Sequence, residues 1–140
     1  MFDLYDNDRL IKWKQFRDSI ETSQTPLEDV VHLWSRAPFV SPYLNPLTPD
    51  LWPDPWHLVL DSKLDELAIT LGMLYTLKLT QRFIESRFEI HMSTSKENKY
   101  NQYFLVVDNH VLNLEYGCVL PATRVESLQT SIIWTNVGHK

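Results

Sequence analysis

A single α+β domain is what this 140-residue chain predicts, and three observations lead there. Apolar residues recur at helical spacing near the start of the chain and again from Lys63 to Gln81. From Arg87 to Ser93 the period changes to two, the spacing of a half-buried strand. Between the helical stretches, Ala37 to Trp56 holds six of the eight prolines and two of the five tryptophans. The expected order is a helical front over 1–36, a proline-rich strap over 37–56, a central helix region over 57–81 and an antiparallel β-meander over 82–135. The buried central helix packs on that sheet.

The first helix is predicted from about Asp8 to Glu21. Leu10, Ile11, Trp13, Phe16 and Ile20 approximate one face, while Arg9, Lys12, Lys14, Asp18 and Glu21 fall largely elsewhere. The second helix carries the clearest start signal in the chain. Thr25 is placed as N-cap, Pro26 as the first helical residue and Glu28 as the partner in a Thr-x-x-Glu capping box. It runs to about Arg36, burying Leu27, Val30, Val31 and Trp34, and Pro38 stops it.

Proline fixes φ, lacks an amide hydrogen and biases its predecessor away from the helical basin, so the segment from Ala37 to Trp56 forms neither helix nor central strand. Its content of Phe39, Val40, Tyr43, Leu44, Leu47, Leu51, Trp52 and Trp56 is too apolar for a disordered linker. A packed strap across the body of the fold is expected, and long ordered loops of this kind are usually functional. Asp54-Pro55 caps a short helical turn, and Asp61 or Ser62 the central helix that follows. There Leu64, Leu67, Ala68, Leu71, Leu74 and Tyr75 fit helical spacing, and Ile69, Met73 and Leu79 widen the apolar face until it is buried on several sides. Gly72 in mid-helix costs about 1 kcal/mol against alanine, which implies close approach by another backbone.

Phe88, Ile90 and Met92 alternate with Arg87, Glu89, His91 and Ser93 as the first strand. Lys96 to Lys99 reads as a solvated turn, and Tyr103 to Val107 as a strand covered on both faces. Asp108-Asn109 makes a tight turn into a third strand through Val111, Leu112 and Leu114, ahead of Gly117. Val125 to Leu128 reads as a short helix or loop, and Ser131 to Thr135 as the last strand.

Composition narrows the function classes. With 44% apolar residues the chain has enough core to fold without a disulfide or metal, and three glycines leave little room for a phosphate-cradling loop. The net charge of −5, with no basic cluster, disfavours direct nucleic-acid binding. Leu67 to Leu77, the longest apolar run, is about half a membrane span, so no membrane association is expected. The start Met-Phe-Asp-Leu-Tyr-Asp lacks a secretory signal, so the chain is expected in the cytoplasm or a virion and not secreted, and its one cysteine excludes an internal disulfide, which points to a reducing compartment or leaves the compartment open. No cofactor is implied.

The five histidines, His32, His57, His91, His110 and His139, are scattered without ligand spacing, so no metal site is expected. His91 is read on the polar face of its strand and His110 in a hairpin turn. Cys118 with His110 and Asp108 contains the residue types of a cysteine hydrolase, but a lone structural cysteine is the plainer reading. Asp65-Glu66 is explained by acidic residues complementing a helix start. The binding candidates are Trp52, Pro53 and Trp56, because exposed tryptophan held by proline makes a rigid apolar anchor of the kind found at interfaces. The competing reading is that both rings cover the core.

The buried helix followed by Tyr103-Phe104-Leu105-Val106-Val107-Asp108-Asn109-His110-Val111-Leu112-Asn113-Leu114 resembles the core of transglutaminase-like cysteine hydrolases. In that family the nucleophilic cysteine opens the core helix, a histidine opens the next strand and an aspartate follows on the strand after. Here the corresponding places hold Lys63, Leu64 and Asp65, then Gln102, then Asn113 or Glu115, so the resemblance implies a scaffold without hydrolase chemistry. Leu33 to Val40, Trp52 to Trp56 and Leu71 to Leu77 also resemble small proteins of T4-like phages of cyanobacteria. That implies expression in an infected bacterial cytoplasm and a place in the virion or in host takeover. The function expected is a non-enzymatic binding or assembly protein with a phage or host protein as partner, self-association being left open. The rival is a cysteine hydrolase of transglutaminase-like fold using Cys118.

Overall fold

The computed structural model describes residues 1–38, 44–61, 64–94, 101–126 and 128–136. It contains helices α1 (Asp6–Ile20), α2 (Pro26–Trp34), α3 (Pro55–Leu60) and α4 (Glu66–Lys78). The strands are β1 (Phe88–Thr94), β2 (Asn101–Val107), β3 (His110–Leu112), β4 (Val119–Pro121) and β5 (Ser131–Thr135). They form one antiparallel sheet in the order β4-β3-β2-β1-β5. The α+β architecture expected from the sequence is therefore present. β1 to β4 make the meander, and β5 returns to the free edge of β1 with a register shift between Ile90 and His91. The short strand β4 has no counterpart in the sequence reading. Phe39, Val40, Tyr43, Ser62, Lys63 and the turn at Lys96 to Lys99 lie outside the described residues.

The central helix is the middle of the molecule. α4 touches α1, α2 and α3 on one side and β1 and β2 on the other, and all but three of its residues are buried. A helix apolar around its whole circumference has no solvated face to offer, so burial on all sides is the arrangement that satisfies it. Its N-cap is Asp65, not Asp61. The buried Asp65 carboxylate accepts from the Ala68 N–H (2.7 Å) and the Leu44 N–H (2.9 Å), joining the strap to the helix start. At Gly72 the close neighbour is the Trp34 ring of α2, and not another backbone: a Cβ there would overlap the indole.

Two other local expectations are corrected. Thr25 precedes α2 as predicted, with Pro26 first in the helix, but no capping box forms. The Thr25 hydroxyl donates to Asp29 (3.0 Å), and Ser23 also donates to Asp29, so the carboxylate collects the loop's hydroxyls. On α1, Ile11 is exposed and Arg9 is buried, the reverse of the expected stripe. Successive residues step by 100°, which puts Arg9, Trp13 and Ile20 on one line and Ile11 across from it. Arg9 tolerates burial because four of its N–H groups meet carbonyl oxygens: Leu4 (2.8 Å), Phe2 (2.8 Å), Val59 (3.1 Å) and Asp61 (2.9 Å).

The outer face of the sheet carries its own apolar residues. Phe104 and Val111 are fully buried, and the 3₁₀ turn Ala122–Val125 packs on β3. His91 belongs to this layer, only 7% exposed, which corrects its placement on a polar face. Its ring stacks on Phe104 (5.3 Å between centroids), and its two nitrogens lie 2.9 Å from the Thr130 hydroxyl and 3.1 Å from Glu89. Among the described residues no helix is long and apolar enough to cross a membrane.

Candidate functional site

Of the strap, residues 37–38 and 44–56 are described, and its tryptophans have different environments. Trp52 follows the 3₁₀ turn Pro49–Leu51, packs against the core and donates its indole N–H to the Asn45 carbonyl (2.8 Å). The next residue, Pro53, offers its carbonyl to the Tyr75 hydroxyl of α4 (2.6 Å). Burial, with the Asp54 carboxylate nearby, pushes the Tyr75 phenol up to about 12. Trp52 and Pro53 thus fasten the strap to the body.

Trp56 points the other way. Asp54 caps α3 as expected, accepting the His57 N–H at 2.8 Å, and Pro55 supplies the first helical φ. Over its six residues α3 buries Leu58 and Val59, so Trp56 and Leu60, one turn apart, remain outside. Trp56 is 46% exposed and meets the buried Trp13 of α1 edge-on, with ring centroids 5.6 Å apart at 75°. Leu47 and Leu51 of the strap are also exposed.

The third member of this group is Arg17. One turn beyond Trp13, it sets its guanidinium carbon 4.4 Å from the Trp13 ring centre and 5.5 Å from that of Trp56. A guanidinium over an indole face gains about 0.5–2 kcal/mol, more as water is excluded. Its Nε is buried and has no hydrogen-bond partner among the described residues. Desolvation lowers the Arg17 pKa, and the neighbouring Asp18 opposes that shift. Asp18 itself is bridged to Lys14 (3.1 Å). No carboxylate among the described residues forms a salt bridge with Arg17. Sequence reading passed over Arg17, although Trp13-x-x-x-Arg17 is the spacing that brings two side chains together on one helix face.

The hydrolase candidates are not brought together. β3 and β4 pair His110 with Pro121 and Leu112 with Val119, so Cys118 lies at the opposite end of that hairpin from His110. Three strand positions span on the order of 10 Å, beyond proton-transfer reach. Asp108, at φ +51° in the turn between β2 and β3, accepts the Arg87 N–H (2.9 Å) and so ties that turn to the start of β1. No group of three or more potential metal ligands occurs among the described residues. No family model matches the chain, and no curated protein or solved structure shows significant similarity to it.

Proposed function

We propose that the chain is a non-enzymatic protein-binding module, and that Trp56, Leu60 and Arg17 form its contact with an acidic, apolar segment of a partner protein. The observation carrying this reading is the half-covered Arg17 guanidinium, laid on Trp13 beside an exposed tryptophan and lacking a carboxylate partner among the described residues. Tryptophan and arginine are the residues most enriched at interface hot spots, where a partner's carboxylate gains most from a charge that is already partly dehydrated. The net charge of −5 argues against a polyanion such as nucleic acid, whose backbone is repelled by the chain as a whole. On the resemblance to cyanophage proteins, the partner we propose is a virion or host protein of an infected bacterial cell.

The test is site-specific cross-linking. A photoreactive benzoylphenylalanine replaces Leu60, and the protein is irradiated in bacterial lysate with and without phage infection. The expected result is one cross-linked peptide, acidic and with aliphatic or aromatic residues, that is lost with Trp56→Ala, weakened with Arg17→Gln and reduced by salt. Cross-links that persist unchanged in both variants would sink the proposal.

A further inference from the structure

A cleft lies where the end of α2, the first turn of α4 and the ends of β2 and β3 converge. It encloses about 480 Å³, within the range of small-molecule sites. Trp34, Ile69 and Leu114 supply apolar wall, and Glu66, Gln102 and Asn113 supply the polar groups. Asn113 is held at φ +71°, a left-handed conformation that asparagine tolerates better than most residues.

The hydrogen-bond inventory of this cleft is one-sided. Its donors are largely committed within the protein. The Trp34 indole bonds to Thr76 (2.9 Å), the Ser35 hydroxyl to the His32 carbonyl (2.8 Å) and the Tyr116 hydroxyl to the Ser35 carbonyl (2.7 Å). The Asn113 amide nitrogen donates to Thr70 (3.1 Å) and to the Tyr103 carbonyl (3.3 Å), and that of Gln102 to the Leu114 carbonyl (2.5 Å). Acceptors are left over. One Glu66 oxygen takes the Tyr103 N–H (3.3 Å), leaving the other, and the side-chain oxygens of Asn113 and Gln102 have no donor among the described residues. Among the described residues no lysine, arginine or histidine lines the cleft.

A cleft with spare acceptors, one carboxylate and apolar walls selects a ligand that brings both donors and positive charge. We infer that it binds a small organic cation, a primary ammonium on an aromatic or aliphatic body, with the ammonium at Glu66 and the body against Trp34 and Ile69. This site is separate from the Trp56 surface and stands or falls independently of it.

Phenethylamine is the probe, with 2-phenylethanol as the neutral control and phenylacetate as the anionic one, followed by amide chemical-shift titration of the whole chain. The expected result is saturable shifts at Ile69, Asn113 and Leu114 with the amine, at least tenfold weaker response to the alcohol and none to the anion. Glu66→Gln lowers amine affinity at least tenfold and leaves the alcohol unchanged. Leu114→Trp, which fills the cleft from its wall, removes both responses. Equal binding of amine and anion, an amine affinity indifferent to Glu66→Gln, or shifts scattered outside the cleft would each overturn the assignment.

Discussion

Trp13 and Trp34, on different helices, donate their indole N–H groups to the same oxygen, the Thr76 hydroxyl of α4, at 3.0 and 2.9 Å. That hydroxyl in turn donates to the Gly72 carbonyl at 2.7 Å, so its one hydrogen and both lone pairs are used. Three helices are keyed together at one atom.

Thr76→Val tests that junction with almost no change of shape. It leaves two buried indole N–H groups without an acceptor, each costing about 1–3 kcal/mol, so a loss on the order of 3 kcal/mol is expected by denaturant unfolding. Thr76→Ser keeps the hydroxyl and loses only a methyl, about 1 kcal/mol. Equal losses in the two variants would show that packing, and not the shared acceptor, is what matters there.

Gly72→Ala sets propensity against space. Alanine is worth about 1 kcal/mol in a helix interior, but its Cβ overlaps the Trp34 ring, and overpacking of this kind costs about 1–3 kcal/mol. A net destabilisation is expected. In a Trp34→Leu background the overlap is gone and the same substitution turns neutral or stabilising. A double-mutant cycle with no coupling between positions 34 and 72 would contradict the contact.

Arg9 is a buried cation, 5% exposed, tied to four carbonyls. Lysine keeps the charge but gathers its donors on one atom and cannot span the same oxygens. Arg9→Lys is expected to cost about 2 kcal/mol and Arg9→Met more, because bonds to a charged donor contribute about 1.5–3 kcal/mol each. Equal unfolding midpoints for wild type and Arg9→Lys would count against the four-carbonyl account.

What was legible in the sequence depended on how local its cause was. Pro26 and Asp54-Pro55 announce helix starts because capping acts over a few residues, and Gly72 announced a close approach because a mid-helix glycine has few other reasons to be there. The period change at Arg87 gave β1 correctly. Arg9 was misplaced because its burial rests on carbonyls as distant in the chain as Val59 and Asp61. The different roles of Trp52 and Trp56 were equally hidden, since one is set by Asn45 and the core and the other by Trp13 and Arg17. β4 has three residues, too few for a period to register.

The Glu66 carboxyl is pushed above its usual 4.5 by burial, with the Tyr103 N–H pulling it back and Asp65 adding to the rise. In the window above 4.5 the native state holds more protons than the unfolded one, so this group's contribution falls as pH rises through it. Glu66→Gln keeps an acceptor for Tyr103 and removes the titration. The stability of the variant relative to wild type should therefore grow between pH 4 and pH 7, by a small amount because the side chain is partly solvated. A difference that is flat with pH, followed by thermal unfolding, would contradict the raised pKa.

The two strap tryptophans should separate when each is cut to alanine. Trp52→Ala removes a ring packed on the core and its bond to Asn45, and a loss of about 2 kcal/mol is expected, below the full cost of a wholly buried tryptophan. Trp56→Ala removes a half-exposed ring whose main contact is the edge of Trp13, worth about 1 kcal/mol. Unfolding midpoints measure the first quantity, and cross-linking at Leu60 measures what each ring does for binding. The proposed surface requires that Trp56→Ala abolish the cross-link in a protein that still folds, while Trp52→Ala keeps the cross-link at temperatures where it is folded. The opposite pattern would move the contact from α3 to the strap and leave Arg17 as a purely structural cation.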